Sequence, residues 1–210
     1  MKKLFKPLSL LLAALLAAGS MVACSDSGSD ELPTPEEIFD LVEKAKDAKI
    51  TMEMEVIDLM TTLVTAEKDG DKAHTVTEVK MMGVTQTEEE YSEKKGDTII
   101  TYTKDGDEWT TSENDADEEV EDESSLEAFK QLFNSDNFKE FDIKSGKYVI
   151  KDDVTIEIDG MTLSEAYIKI DGNTFEIYAK IDVASSGISM TGELKFTIEL
   201  TDVTVQLPKV

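Results

Sequence analysis

The side chains able to do chemistry are few. One cysteine, Cys24, and one histidine, His74, stand among 46 Asp and Glu and 21 Lys, with no arginine. A nucleophilic thiol needs a base beside it, and zinc needs several thiolates or imidazoles, so one residue of each type supports neither. A lone cysteine also builds no disulfide framework. His74 lies between Ala73 and Thr75 in an alternating segment, and no GxSxG elbow is present to give it a serine partner, so it reads as a surface strand histidine. Paired carboxylates do acid–base work on glycosides, but 46 acids offer pairs at every spacing and select none. The densest run, residues 113–123, has eight acids in eleven positions and no base, the composition of a solvated loop. Asp115, Asp117 and Glu119 alternate there as in a calcium loop. Val120 stands where that loop needs Gly, and Leu126 where it needs Glu, so the template fails. The expectation is a non-enzyme without metal or cofactor.

The charge balance removes another class. The formal net charge is −25, and every basic residue is a lysine, so the planar fork that grips phosphate is missing and nucleic acid is not an expected partner.

The N-terminus reads as an address. Lys2, Lys3 and Lys6 precede an apolar stretch from Leu8 to Ala18, followed by Gly19, Ser20 and Ala23, which is the layout of a secretory signal peptide. The stretch is shorter than the roughly 20 apolar residues a bilayer span needs. The sequence Met21-Val22-Ala23-Cys24 resembles the lipobox of bacterial lipoproteins, with Met21 where that motif usually has leucine. The resemblance implies cleavage after Ala23 and lipidation of Cys24 with a diacylglycerol. Two acyl chains give stable attachment, at about 0.8 kcal/mol for each buried methylene. Removing residues 1–23 takes away three lysines and no acid, leaving 18 Lys against 46 Asp and Glu, a net of −28. Residues 24–34 then form a flexible acidic spacer, of which ten residues span roughly 16 to 19 Å r.m.s.. The implied location is the extracytoplasmic side of the cell membrane, held by a lipid anchor.

Residues 35–210 read as one domain. Thr34, Pro35 and Glu37 form the start signal of a helix whose stripe is Ile38, Leu41, Val42, Ala45 and Ala48. From Ile50 the period changes to two, with Met52, Met54 and Val56 on one face. Lys-Asp-Gly-Asp and Lys-Gly-Asp segments then punctuate an antiparallel meander over residues 50–112, in which the polar run Thr85 to Lys95 reads as an exposed edge strand. Ser124 and Glu127 cap a second helix bearing Leu126, Phe129, Leu132 and Phe133. Strands return in the last third. Phe175, Ile177, Ala179, Ile181 and Val183 alternate with polar residues, as do Leu194, Phe196, Ile198 and Leu200. The apolar set then moves to odd numbers at Val203, Val205 and Leu207, which predicts a bulge near Thr201 or Asp202.

About nine or ten strands, each apolar on one face, exceed what two short helices can cover, so the sheet is expected to curl over them. The predicted fold class is α+β, mainly β: a strongly curved antiparallel sheet packed on an N-terminal and a mid-chain helix. Its concave lining would include Ile38, Leu41, Met52, Met54, Val56, Phe129, Phe133, Ile177, Ile181, Phe196 and Ile198. A lipobox, an acidic spacer, the helix TPEEIFDLVEKAKDA running into KITMEMEV, KDGD turns, the helix SLEAFKQLF and a closing TDVTVQLP together resemble the half-barrel lipoprotein carriers of the LolA and LppX/LprG type. That resemblance implies a half-barrel holding acyl chains. Two functions follow as expectations. One is a lipoprotein that binds or carries an apolar ligand, a lipid; the other is a surface module without a cavity that recognises a cationic partner through its acidic charge.

Overall fold

The computed structural model describes residues 32–34, 37, 41, 45–56, 59–106, 108–115, 139–158, 161–185 and 188–209. Its elements are twelve strands: β1 (Asp47–Val56), β2 (Met60–Asp69), β3 (Lys72–Met81), β4 (Val84–Lys95), β5 (Thr98–Asp105), β6 (Glu108–Asp115), β7 (Phe141–Lys144), β8 (Lys147–Ile150), β9 (Ile156–Ile158), β10 (Met161–Asp171), β11 (Thr174–Ser185) and β12 (Ile188–Glu199). They form one antiparallel sheet in the order β6-β5-β4-β3-β2-β1-β12-β11-β10-β8-β7, with β9 also paired to β10. β1 to β6 and β10 to β12 pair in sequence order, whereas β12 returns to lie against β1, β8 pairs with β10, and β6 and β7 stand at opposite ends of the order. An open sheet of this width does not stay flat, because the twist between strands accumulates.

The α+β expectation is therefore corrected to an all-antiparallel β fold. Among the described residues helical backbone occurs only at Glu37 and Leu41 and makes no element. The expected N-terminal capping contacts are present, since Thr34 N donates to Glu37 Oε2 at 2.7 Å and Glu37 N to Thr34 Oγ1 at 3.3 Å. Ala48, assigned by its spacing to the helical stripe, instead sits in β1 opposite Lys68. The physical reason is that β1 is paired along its length on both sides, by β2 and β12, and a two-sided ladder satisfies its backbone groups and holds Ala48 as strand. The expected mid-chain helix, with Phe129 and Phe133, lies outside the described residues, as do the leader, Cys24 and Ile38.

Three smaller expectations change for similar reasons. The segment 84–95 is an edge strand over its first half only. Its second half, Glu90 to Lys95, pairs with β5, whereas Val84 to Glu89 pairs with β3 alone among the described strands. Glu113, Asn114 and Asp115, placed by composition in a solvated loop, are the last residues of β6 and pair with Ile100, Ile99 and Thr98. The bulge expected near Thr201 is absent because β12 stops at Glu199; a register shift occurs instead in β10 between Ser164 and Tyr167, where Glu165 has a φ of +49°. The odd-numbered apolar set after it belongs to an irregular tail in which Val205 is buried and its N–H donates to the Asp69 carboxylate at 3.1 Å.

The core lies on one face of the sheet. Phe175, Ile168, Ile181 and Ile198 are its largest fully buried side chains, all from β10, β11 and β12. Leu32, Val154 and Leu200 pack against it, so the approach to the sheet, the segment before β9 and the start of the tail help to cover that face. The Tyr148 hydroxyl donates to the backbone oxygens of Leu32 and Pro33 at 3.0 and 3.2 Å, pinning the approach segment over β8.

Candidate functional site

Strand alternation puts every second side chain on the core face, and the pairing registers align these side chains in rows across the sheet. One row runs Glu88, Thr77, Val64, Met52, Phe196, Ile177, Ile168 and Tyr148, one residue from each of eight adjacent strands. The neighbouring row runs Glu90, Thr75, Ala66, Ile50, Ile198 and Phe175. From β2 onward these rows are continuously apolar.

Seven of the residues expected to line a ligand site come together here. Met52 and Phe196 are direct partners, as are Phe196 and Ile177; Met54 pairs with Leu194, and Val56 and Ile181 flank Gly192 on its two sides. Ile198 joins the next row through Ile50. Val56, Ile177, Ile181, Phe196 and Ile198 are buried, whereas Met52 and Met54 are only partly covered. Leu41 is 45% exposed, so it is not buried in the core. Gly192 is the close approach of the site: a Cβ there would stand 2.3 Å from the Glu55 carbonyl oxygen.

Toward β3, β4 and β5 the same face turns polar. Thr75, Thr77 and Ser92 are buried, and the hydroxyls of Thr75 and Ser92 have no hydrogen-bond partner. Where β5 ends against the longer β4, a recess of about 520 Å³ opens, lined by Thr75, Thr77, Thr87 and Thr103, by Glu88, Glu89 and Glu90, and by Lys104 and Gly106. Glu90 is the most perturbed acid of this region: burial, then the charge of Glu88, pushes its carboxyl up to about 7. The sequence reading missed this polar end. Its signal was the alternation Thr75, Thr77 opposite Glu88, Glu90, which is invisible until the register is known. In the adjoining row Lys68 is also buried and donates from Nζ to the Ala45 carbonyl at 3.0 Å; burial lowers its pKa against the pull of Asp47 and Asp71.

The opposite face carries His74. Its Nε2 lies 3.2 Å from Glu89 Oε1 and its Nδ1 3.7 Å from Glu67 Oε2, and its ring stacks on Tyr91 at 4.2 Å between centroids. Tyr91 donates to Glu89 at 3.1 Å and meets Trp109 edge-on at 5.3 Å; Lys104 reaches both Glu89 and the Trp109 ring. Burial opposes ionisation of Glu89, but the hydrogen bonds from Tyr91 and His74 prevail and hold its carboxyl below the usual range. This cluster ties β2, β3, β4, β5 and β6 together across a solvated face, and no serine or cysteine is part of it. Among the described residues no group of three or more His, Cys, Asp or Glu is placed to hold a metal ion.

No family model and no curated protein sequence matches the chain. Among solved structures it is similar to the S-type phycobiliprotein lyase CPES from Guillardia theta, at 7% identity over 82% of this chain and 95% of that one, with a TM-score of 0.36. A likeness at that level carries no argument about ligand or activity.

Proposed function

We propose that this chain is a non-enzymatic lipoprotein, anchored through Cys24 to the extracytoplasmic side of the cell membrane, that binds or carries an apolar ligand, a lipid, on the core face of its sheet. The observation that carries this reading is the row Val64, Met52, Phe196, Ile177 and Ile168, an apolar track across five adjacent strands. Met52 and the neighbouring Met54 lie along it only partly covered, and a flexible thioether adapts to irregular contents. The lipobox resemblance supports the tether, and the half-barrel carrier resemblance supports the ligand class.

Native mass spectrometry of the purified chain, followed by solvent extraction and lipid analysis, tests the reading. A bound lipid that leaves on extraction is expected. A chain with no bound mass that instead captures cationic proteins in a salt-sensitive way would replace lipid carriage with recognition of a basic partner through the acidic surface.

A further inference from the structure

The core face is graded. The row that is apolar from Val64 to Ile168 ends at Thr77 and Glu88, and the adjoining row ends at Thr75 and Glu90. Both ends meet in the recess at the step between β4 and β5. Two carboxylates two residues apart on one strand share that face. Thr75, 4% exposed, lines the same recess with a hydroxyl that has no partner. A buried hydroxyl left without a hydrogen bond costs free energy, so this position favours an occupant that supplies one.

The lining chemistry narrows the occupant. Glu88, Glu89 and Glu90 outnumber Lys104, whose Nζ lies 3.6 Å from Glu89 Oε2, so the lining repels an anionic group. A bare calcium ion takes six to eight oxygens drawn tightly around it, whereas this recess has the size of a small-molecule site and no three acids among the described residues are placed to hold a metal ion. A quaternary ammonium is recognised by aromatic faces, and no aromatic residue lines the recess. A primary ammonium has three donors and no acceptor, which matches two carboxylates and a free hydroxyl. From Glu88 to Met52, which is only partly covered, the row crosses three strand spacings, about 14 Å, so one extended molecule can touch both ends.

We propose that the recess binds a protonated primary amine and that, resting on the lipid-carrier reading above, this amine is the polar end of one amphiphile whose tail reaches Met52. Glu88 and Glu90 hold the ammonium, Thr75 accepts its third hydrogen bond, and the apolar row takes the chain.

The full chain with its anchor, in uncharged detergent, is titrated with ethanolamine, with dodecylamine and with dodecanol, while backbone amide shifts and affinity are followed. Dodecylamine is expected to shift Thr75, Glu88 and Glu90 together with Met52, and to bind at least tenfold more tightly than either other probe. Glu88→Gln and Glu90→Gln should each weaken dodecylamine by about tenfold or more, the loss of one charge-assisted hydrogen bond, and leave dodecanol unchanged. Thr75→Val, with a thermal melt as its folding control, should weaken dodecylamine alone. Equal affinity for both amines with Met52 unshifted would assign the recess to a free soluble amine and overturn the amphiphile. Dodecanol binding as tightly as dodecylamine, with both Gln variants silent, would overturn the amine site while lipid binding stands. Calcium shifting these amides when neither amine does would overturn it too, and no binding of any probe would remove this site and count against the carrier reading with it.

Discussion

Thr75 and Glu90 are direct partners across the β3–β4 ladder, and they place an unpartnered hydroxyl and a desolvated carboxyl next to each other on the face that elsewhere carries isoleucine and phenylalanine. The groups facing Glu90 are Thr75 on β3, Thr103 on β5 and Glu88 on its own strand; of the nearby cations, Lys104 lines the same recess but is engaged by Glu89 at 3.6 Å, and Lys68 stands two strands away in the adjoining row and is engaged by the Ala45 carbonyl. Nothing in this set favours the ionised form, which is why the carboxyl holds its proton to about pH 7.

A pH dependence follows from that. An acid whose folded pKa lies above its unfolded value binds more protons in the native state, so stability falls as pH rises between the two. Glu90 goes from 4.5 to about 7, which makes the loss between those pH values at most about 3 kcal/mol. Urea midpoints measured from pH 4.5 to pH 8 should decline over that window. Glu90→Gln should flatten the decline and be the more stable chain at pH 8; an unchanged slope in the variant would show that Glu90 is not its source.

Gly192 should tolerate no side chain. It lies between Val56 and Ile181, and an added Cβ would press on backbone, which cannot swing aside. Gly192→Ala is expected to cost about 1 to 3 kcal/mol in denaturant unfolding and to weaken the contact between β1 and β12 first. Faster hydrogen exchange at Met54 and Leu194 than at Ile150 would locate the damage.

The core and the site can be separated by mutation. Phe196→Ala removes a buried ring and should cost about 3 to 5 kcal/mol. Met52→Gln alters a side chain that is only partly covered, so its stability cost should be about 1 kcal/mol or less. Loss of co-purifying lipid in the Met52→Gln chain, with its unfolding midpoint nearly intact, is the expected result; full lipid occupancy would remove Met52 from the site.

Cys24→Ser removes the only thiol. The chain should then leave the membrane fraction on carbonate washing, while its circular dichroism stays that of the native sheet. Retention in the membrane with the serine in place would refute the tether.

Several elements were legible from the residues alone. The period-two runs at Ile50 to Val56, Phe175 to Val183 and Leu194 to Ile198 became β1, β11 and β12 with the expected faces inward. Other strands were not legible, for local reasons. The turn between β3 and β4 is Met82-Gly83, with φ of +51° and +81°, and that between β7 and β8 is Ser145-Gly146, at +54° and +73°. Both residues of each turn take the left-handed region a tight hairpin needs, but Met and Ser are weak advertisements for it. The tip residues Met81, Met82 and Val84 are exposed, so the apolar residues there mark a turn.

Composition and order thus established by themselves the scarcity of reactive side chains, the excess of acid over base and the face each clear strand presents. Those properties depend on residue type and on near neighbours in the chain. Which strands lie side by side was decided only in three dimensions, because backbone groups in a strand are satisfied by partners far away in sequence, and alternation says nothing about who those partners are. The return of β12 to β1 brings Phe196 onto Met52, and the β3–β4 register turns Glu88 and Glu90 inward. On the chain these are a buried ring, a methionine and two ordinary surface acids; in the sheet they are the two ends of one track.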